Sequence, residues 1–525
     1  MTHPDLHDTI HEAPTSVSLA LRALRRHPER VAFQWDGGAL TYAGALDLIA
    51  RQQAALSAAG ARRGECMALL SANRAEVWCA GVAAQGLGLA VTWLHPMGSL
   101  NDHLDQIADA GATLLVVDVP GYRDRGGELA TRAEGVRTTL TLGPAEFGQD
   151  LLAAAAAAGS AAPRDLAGLD DLAILNYTGG TTGKSKGAQR RHRTTVGAVT
   201  SILADFEFPH DPRFLAVAPI THVAGSKVLP TLLAGGTVHL MRGFDPDRVL
   251  ATIAAQRINM TLFVPTMIYV LLDHPALDRT DLSSMELLLY GASPMSPTRL
   301  VEGLERIGPV FSQLYGQTEC YPISVLRRAD HDAARPELFA SCGSPVASAR
   351  IRLLDADLQE VAPGEPGEIC VRAPYVMDAY WKRPDLTAEA LRGGWLHTGD
   401  VARMDDRGYL YIVDRTKDLI VTGGFNVYPR EVEDALTTHA EVAMAAVIGV
   451  PDPKWGEAVT AMVVRKAGAT VDADTLIARV KALKGAQQAP KRIEFVDALP
   501  LTAVGKVDKK ALRATFWAGQ QRMVG

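Results

Sequence analysis

The stretch Tyr177-Thr178-Gly179-Gly180-Thr181-Thr182-Gly183-Lys184-Ser185-Lys186-Gly187 follows directly on the apolar run Leu172 to Leu175, and reads as a strand opening into a glycine-rich loop. Glycines let successive backbone N–H groups turn inward as an anion-binding nest. The hydroxyls of Thr178, Thr181 and Thr182 add donors, and Lys186 adds positive charge. Such a loop suits a polyphosphate. Gly183-Lys184-Ser185 looks like the end of a Walker A loop, but that motif requires a glycine where Thr178 stands. The bland alternative is a plain turn rich in glycine and threonine.

Working outward, helical stretches such as Tyr42 to Ala59 alternate with short apolar runs such as Cys66 to Leu70 and Thr113 to Asp118, an order that argues for parallel sheets covered by helices. The alanine-rich segment Leu151 to Pro163 reads as a surface helix and connector. After Gly343 the texture changes to short strand-like runs (Arg350 to Leu354, Gly367 to Arg372, Gly408 to Val413) separated by Gly, Pro and Asp turns. Beyond Asp414 a fresh alternation begins, with a helix around Pro429 to Thr438, strands around Val442 to Val450 and Val459 to Arg465, and a helix around Ala473 to Leu483. The expected fold class is α/β: a large N-terminal domain of αβ-layered subdomains plus a β-rich subdomain (1–413), a hinge (414–417), and a small mobile C-terminal α+β domain (418–525).

A chain of 525 residues exceeds what one hydrophobic core usually supports. Its 47% apolar and 21% charged residues are the balance of an ordinary globular protein, and the net charge of −6 gives no overall attraction to nucleic acid or anionic lipid. Cys66, Cys79, Cys320, Cys342 and Cys370 lie far apart without zinc-type spacing, so reduced thiols in a cytoplasmic protein are expected. No secretory signal, peroxisomal address or apolar run long enough to span a membrane is apparent. His3, His7 and His11 could share a helical face, but their acidic, proline-bounded surroundings favour a solvated arm over a metal site. A homodimer is compatible with all of this.

Further segments follow the loop in order: GASP (Gly291 to Pro294), YGQTE (Tyr315 to Glu319), WLHTGD (Trp395 to Asp400), DRTKDLIVTGGFNVYP (Asp414 to Pro429) and PLTAVGK (Pro500 to Lys506). Together with the glycine-rich loop they resemble the signature motifs of the adenylate-forming superfamily, which contains acyl-CoA and aryl-CoA synthetases, peptide-synthetase adenylation domains and beetle luciferases. The resemblance runs from about Thr41 to Arg513. Two positions depart from it: Gly179 and Ser185 stand where the family usually has Ser and Pro. The lysine and the threonines of the loop are kept.

The resemblance implies an AMP-forming acid:CoA ligase with ATP, CoA and a carboxylic acid as substrates and Mg²⁺ as cofactor. Thr178, Gly179, Gly180, Thr181, Thr182, Gly183 and Lys186 would hold phosphates. Glu319 would face Mg²⁺, with Thr318 on the α-phosphate. Tyr315 and Gly316, with Gly291, Ala292 and Ser293, would enclose adenine, and Asp400 would accept from the ribose hydroxyls. Arg415 would reach ribose or phosphate, and Lys417 would sit at the hinge about which the small domain rotates. Lys506 resembles the mobile lysine that bridges the substrate carboxylate and the α-phosphate. Rotation would then replace it with the Val421 to Asn426 loop, where Gly423 and Gly424 let pantetheine pass.

His222 matches a position beside the acyl group that gates the pantetheine tunnel, and reads equally well as a satisfied core histidine. Val223, Ala224, Gly225 and Val228, with Tyr290 and Ile323, would line the acyl pocket, whose small side chains suit an aryl or medium- to long-chain acid over acetate. Lys227 either meets a distal polar group of the acid or faces solvent. The main alternative is a stand-alone adenylation enzyme that passes the acyl group to a carrier protein. Against amino-acid activation, Thr221-His222-Val223-Ala224 lacks an aspartate for an ammonium group.

Overall fold

The computed structural model describes residues 13–159, 161–178, 185–293, 295–415, 418–422, 425–453, 455–502 and 506–517. Two large sheets organise the N-terminal part. In the first, strands Leu172–Tyr177, Ala90–Trp93, Cys66–Leu70, Ala112–Val117, Thr138–Thr141 and Gln149–Asp150 run parallel in that order, and Gly187–Arg191 and Ala379–Tyr380 close one edge antiparallel. These strands are near-continuous apolar runs; Cys66–Leu70 is buried at every position, as a strand covered on both faces must be.

The second sheet has a parallel centre of Phe311–Gln317, Leu287–Gly291, Met260–Phe263, Arg213–Ala216, Thr237–Leu240 and Val31–Trp35, with antiparallel additions at both edges. One hydrophobic cluster joins residues of both sheets, including Leu69, Val91, Leu262 and Leu289, while a second, containing Leu215, Leu288, Tyr290 and Phe311, covers the other face of the nine-stranded sheet. Helix starts follow sequence rules. Thr41 caps Tyr42–Ala58 by accepting from the Gly44 N–H, and Ser99 and Asp102 form a reciprocal capping box at Leu100–Ala110.

The expected β-rich subdomain is a four-stranded antiparallel sheet of Arg350–Leu354, Gly367–Arg372, Leu396–Met404 and Leu410–Arg415. That last strand carries Asp414 and Arg415, the first half of the expected hinge; residues 416 and 417 lie outside the described residues. The C-terminal unit pairs Val442–Asp452 with Gly456–Arg465 as a long hairpin, packs Pro429–Thr437 and Ala473–Lys484 beside it, and has its own core around Val432, Val447, Val459 and Leu476. Among the described residues, no helix is long and apolar enough to cross a membrane.

Candidate active site

The motif residues gather at the carboxyl ends of parallel strands, where an open α/β sheet leaves its crevice. The glycine-rich loop leaves Leu172–Tyr177, Gly291 ends Leu287–Gly291, and Tyr315 and Gly316 lie near the end of Phe311–Gln317. His95 follows Ala90–Trp93 of one sheet, and His222 follows Arg213–Ala216 of the other. The rings of these two histidines meet edge to face at 4.2 Å, so the site lies where the two sheets approach.

The base of the loop is tied down on both sides. Thr178 donates its backbone N–H to the Lys186 carbonyl at 3.0 Å, and the Tyr177 hydroxyl donates to Asp109 at 2.8 Å. Gly179, Gly180, Thr181, Thr182 and Gly183 lie outside the described residues, as do Lys417, Gly423 and Gly424. Lys186 holds its ammonium 5.0 Å from the centre of the Tyr380 ring, and the Tyr380 hydroxyl in turn donates to Oε1 of buried Glu319 at 2.5 Å. A chain of contacts thus runs from the end of the glycine-rich loop to the carboxylate of YGQTE. Burial, together with the neighbouring Glu319 carboxylate, holds the Tyr380 phenol well above its usual range, so it stays a donor.

Thr318 is fixed through its backbone: buried Arg190 donates to the Thr318 carbonyl at 2.6 Å. The Glu319 carbonyl accepts from the Met377 N–H at 2.7 Å. Strand Cys320–Leu326 therefore leaves this corner with backbone and carboxylate both anchored. The donor set suits a hard cation: a single carboxylate is what Mg²⁺ takes when phosphate oxygens and water complete its shell, and an oxygen that accepts from Tyr380 still leaves Glu319 with lone pairs to give.

Tyr315 donates its hydroxyl to Oδ2 of Asp400 at 2.6 Å, which joins the expected adenine platform to the expected ribose acceptor. Burial and the Asp400 charge push the Tyr315 phenol well above its ordinary value. Gly291 is required by packing, since a Cβ there would come within 2.3 Å of the Leu314 carbonyl oxygen on the adjacent strand. Ala292 next to it adopts φ +66°, a left-handed conformation that turns the chain toward Ser293.

Asp400 is itself set by a support that the motif reading missed. Glu368 accepts from the Gly399 N–H at 2.8 Å through one oxygen and bonds His397 Nδ1 at 2.6 Å through the other; Thr398 Oγ1 donates to the Ile369 carbonyl at 2.8 Å and accepts from the Asp400 N–H at 3.1 Å. Cys370 Sγ lies 3.4 Å from His397 Nδ1. Glu368, Cys370 and His397 bring three ligand-type atoms together. Burial pushes the Cys370 thiol up to about 12. The triad acts as a bracket under Gly399 and Asp400. A lone glutamate on the neighbouring strand, far from the motif in sequence, carried no sequence signal for this. Arg415 pairs with Asp400 in strand register.

His222 Nδ1 shares a 2.9 Å hydrogen bond with the Thr221 hydroxyl, and burial beside His95 lowers it to about 3, while His95 falls to about 4. Both rings are neutral at physiological pH. A 3-10 helix, Val223–Lys227, follows. Gly225 is small for backbone reasons, because a Cβ there would lie 1.8 Å from the Ile220 carbonyl oxygen. Val223, Ala224, Val228 and Ile323 share one apolar cluster, whereas Tyr290 belongs to the other and bonds His331 Nε2 at 2.9 Å. Lys227 is fully buried, which removes the solvent-facing reading.

Lys506 stands at the stem of a short loop in the C-terminal unit. The Thr502 N–H donates to the Lys506 carbonyl at 2.7 Å, the Lys506 N–H donates to Thr502 Oγ1 at 3.2 Å, and Leu501 bridges Val507. Lys509 pairs with Glu433 at 2.8 Å and Arg513 with Asp418 at 2.8 Å, docking the following helix on this unit.

Comparison with known proteins adds independent findings. The sequence pattern of the AMP-binding enzyme family matches residues 21–381, and that of the AMP-binding enzyme C-terminal domain matches residues 431–506. The chain is 44% identical to the medium/long-chain-fatty-acid–CoA ligase FadD8 of Mycobacterium tuberculosis, over 97% of this chain and 91% of that protein. It is 38% identical to a feruloyl-CoA synthase from an Amycolatopsis species, over 95% and 98% respectively. Among solved structures, the amide bond synthetase McbA of Marinactinospora thermotolerans superposes with a TM-score of 0.89 at 35% identity, over 95% of this chain and 99% of that one.

Proposed function

Because the chain belongs to the AMP-binding enzyme family and is an AMP-forming acyl-CoA ligase, we propose that it joins an aryl or medium- to long-chain carboxylic acid to CoA through an acyl-adenylate. The observation that carries the reading is the linked constellation of Lys186, Tyr380, Glu319, Tyr315 and Asp400 at the strand ends. In the first half-reaction an acid oxygen attacks the α-phosphorus of ATP and pyrophosphate leaves. Like charges must be brought together, so positioning and neutralisation carry most of the catalysis.

Lys186 and the loop threonines would bind the phosphates, Tyr315 would stack on adenine, and Asp400 would accept from the ribose hydroxyls. Thr318 would bond the α-phosphate, Arg415 would reach ribose or phosphate, and Lys506 would bridge the acid and the α-phosphate. Glu319 would hold Mg²⁺, which when bound neutralises the phosphate oxygens. In the second half-reaction the CoA sulfur attacks the acyl carbon, the thiol proton is lost and AMP leaves. A turn about Lys417 would withdraw Lys506 and bring Gly423 and Gly424 to the site.

The acid class is supported by the apolar cluster around Val223, Ala224, Val228 and Ile323, by a neutral His222 beside it, and by the substrates named for the two curated relatives. Five free, buried cysteines support a cytoplasmic setting. A second reading, transfer of the activated acyl group to a nucleophile other than CoA, is favoured by the likeness to an amide bond synthetase. The test is pyrophosphate release across a panel of carboxylic acids with and without CoA. Acid-dependent release with thioester formed is expected; release without thioester would favour the second reading.

A further inference from the structure

We propose that Lys227 and Tyr321 form a polar end-stop in the acyl pocket, built to receive a hydrogen-bond-accepting oxygen that the acid carries far from its reacting carboxylate. The proposal rests on the reading of Val223 to Val228 as the pocket wall. Lys227 ends the 3-10 helix Val223–Lys227 and has no exposed surface. Its ammonium nitrogen bonds the Tyr321 hydroxyl at 2.5 Å and Ser226 Oγ at 2.9 Å, and lies 4.5 Å and 5.0 Å from the ring centres of Tyr321 and Phe206. Among the described residues no carboxylate pairs with it. Tyr321 and Ile323 lie on strand Cys320–Leu326 and belong to the same apolar cluster as Ala224 and Val228, and Tyr321 is two residues beyond Glu319.

A buried lysine without a counter-ion is costly, and a fold that needed only filling here would have used Met or Leu. The hydrogen bonds leave one donor in hand. Ser226 Oγ gives its hydrogen to the Val223 carbonyl at 2.6 Å and accepts from Lys227. Tyr321 accepts from Lys227 and also bonds Ser226, so the Lys227 ammonium keeps one further N–H as the donor of the trio. A spare ammonium donor in an apolar wall matches an acceptor oxygen, either a neutral carbonyl or a second carboxylate. Burial lowers the proton affinity of Lys227 well below that of an ordinary lysine, and an anionic acceptor would raise it again.

The experiment measures kcat/KM for AMP formation with octanoate, 7-oxo-octanoate and octanedioate, and with 3-phenylpropanoate against 3-(4-hydroxyphenyl)propanoate. The native chain is expected to prefer at least one oxygen-bearing acid over its matched partner by tenfold or more. The 7-oxo acid reports a neutral acceptor and octanedioate an anionic one. Lys227→Met and Tyr321→Phe are each expected to bring that preference near unity by lowering kcat/KM for the oxygen-bearing acid more than for its plain partner. Tyr321→Phe stands alone should the lysine variant not fold. Absence of any preference in the native chain, or an equal loss with both members of each pair in the variants, overturns the proposal. AMP formation with none of the acids would instead sink the ligase reading on which it rests.

Discussion

The hydroxyl of Tyr315 donates to the carboxylate of Asp400 across 2.6 Å, joining two side chains 85 residues apart in sequence. An aspartate held this way has its remaining lone pairs fixed in one direction, as the proposed acceptor for ribose hydroxyls beside a base on the tyrosine ring would need. Tyr315→Phe keeps the ring and removes the bond. Hydrogen bonds to charged groups contribute about 1.5–3 kcal/mol, so kcat/KM for ATP should fall roughly tenfold or more. The KM for the acid should stay put. Steady-state kinetics with each substrate varied in turn checks this; a change confined to the acid would refute it.

Tyr380 stands in the same relation to Glu319. Tyr380→Phe releases the carboxylate while leaving the ring under Lys186, so a higher Mg²⁺ concentration should be needed for half-maximal adenylation, by about tenfold. A magnesium titration at saturating ATP reads it directly. An unchanged magnesium requirement alongside lowered thermal stability would assign Tyr380 to packing alone.

The strands and helices around these residues were largely legible. Cys66–Leu70, Arg350–Leu354 and Gly367–Arg372 have the boundaries their apolar runs and turns imply, because buried parallel strands and short antiparallel strands are bounded by local punctuation. Motif spacing found Tyr315, Glu319 and Asp400 but could not show what orients them. Tyr380, Arg190, Glu368 and His95 act through tertiary hydrogen bonds and ring contacts between distant segments, and nothing local distinguishes such residues from ordinary polar positions. For Lys227 the solvent-facing reading failed for a related reason. Lysine is normally exposed, and only the packing of Phe206 and Tyr321 around it reveals burial.

Acid should destabilise the fold between about pH 6.5 and pH 4. Burial lowers the affinity of His95, His103, His192, His222, His239 and His331 for protons, with His95, His239 and His331 falling to about 4 and His222 to about 3. A depressed histidine means that the unfolded chain binds more protons in this window, so stability is intact above the unfolded value near 6.5 and is lost as pH falls. Urea midpoints at pH 7.5, 6 and 5 should drop in that order. A midpoint flat across the series would contradict the buried neutral state of these rings.

The same sign applies to Lys227 at higher pH. Its proton affinity in the fold is below that of the unfolded chain, so the unfolded state is favoured as pH falls below the ordinary lysine value of about 10.4. Lys227→Met removes that penalty and fills the same volume, and should raise the melting temperature at pH 7.5 by about 2 °C or more. A lower melting temperature would mean that the lysine holds the fold together.

The most direct measurement separates the two half-reactions in Lys506→Ala. Pyrophosphate release from acid and ATP should fall by roughly a hundredfold or more, as expected when a cation at the developing charge is removed. Thioester formation from a supplied acyl-adenylate and CoA should stay within about threefold of the native rate, because the lysine has no part in that step. Equal loss of both rates, or loss of neither, would contradict a ligase that neutralises its adenylation step with Lys506 and then sets that residue aside.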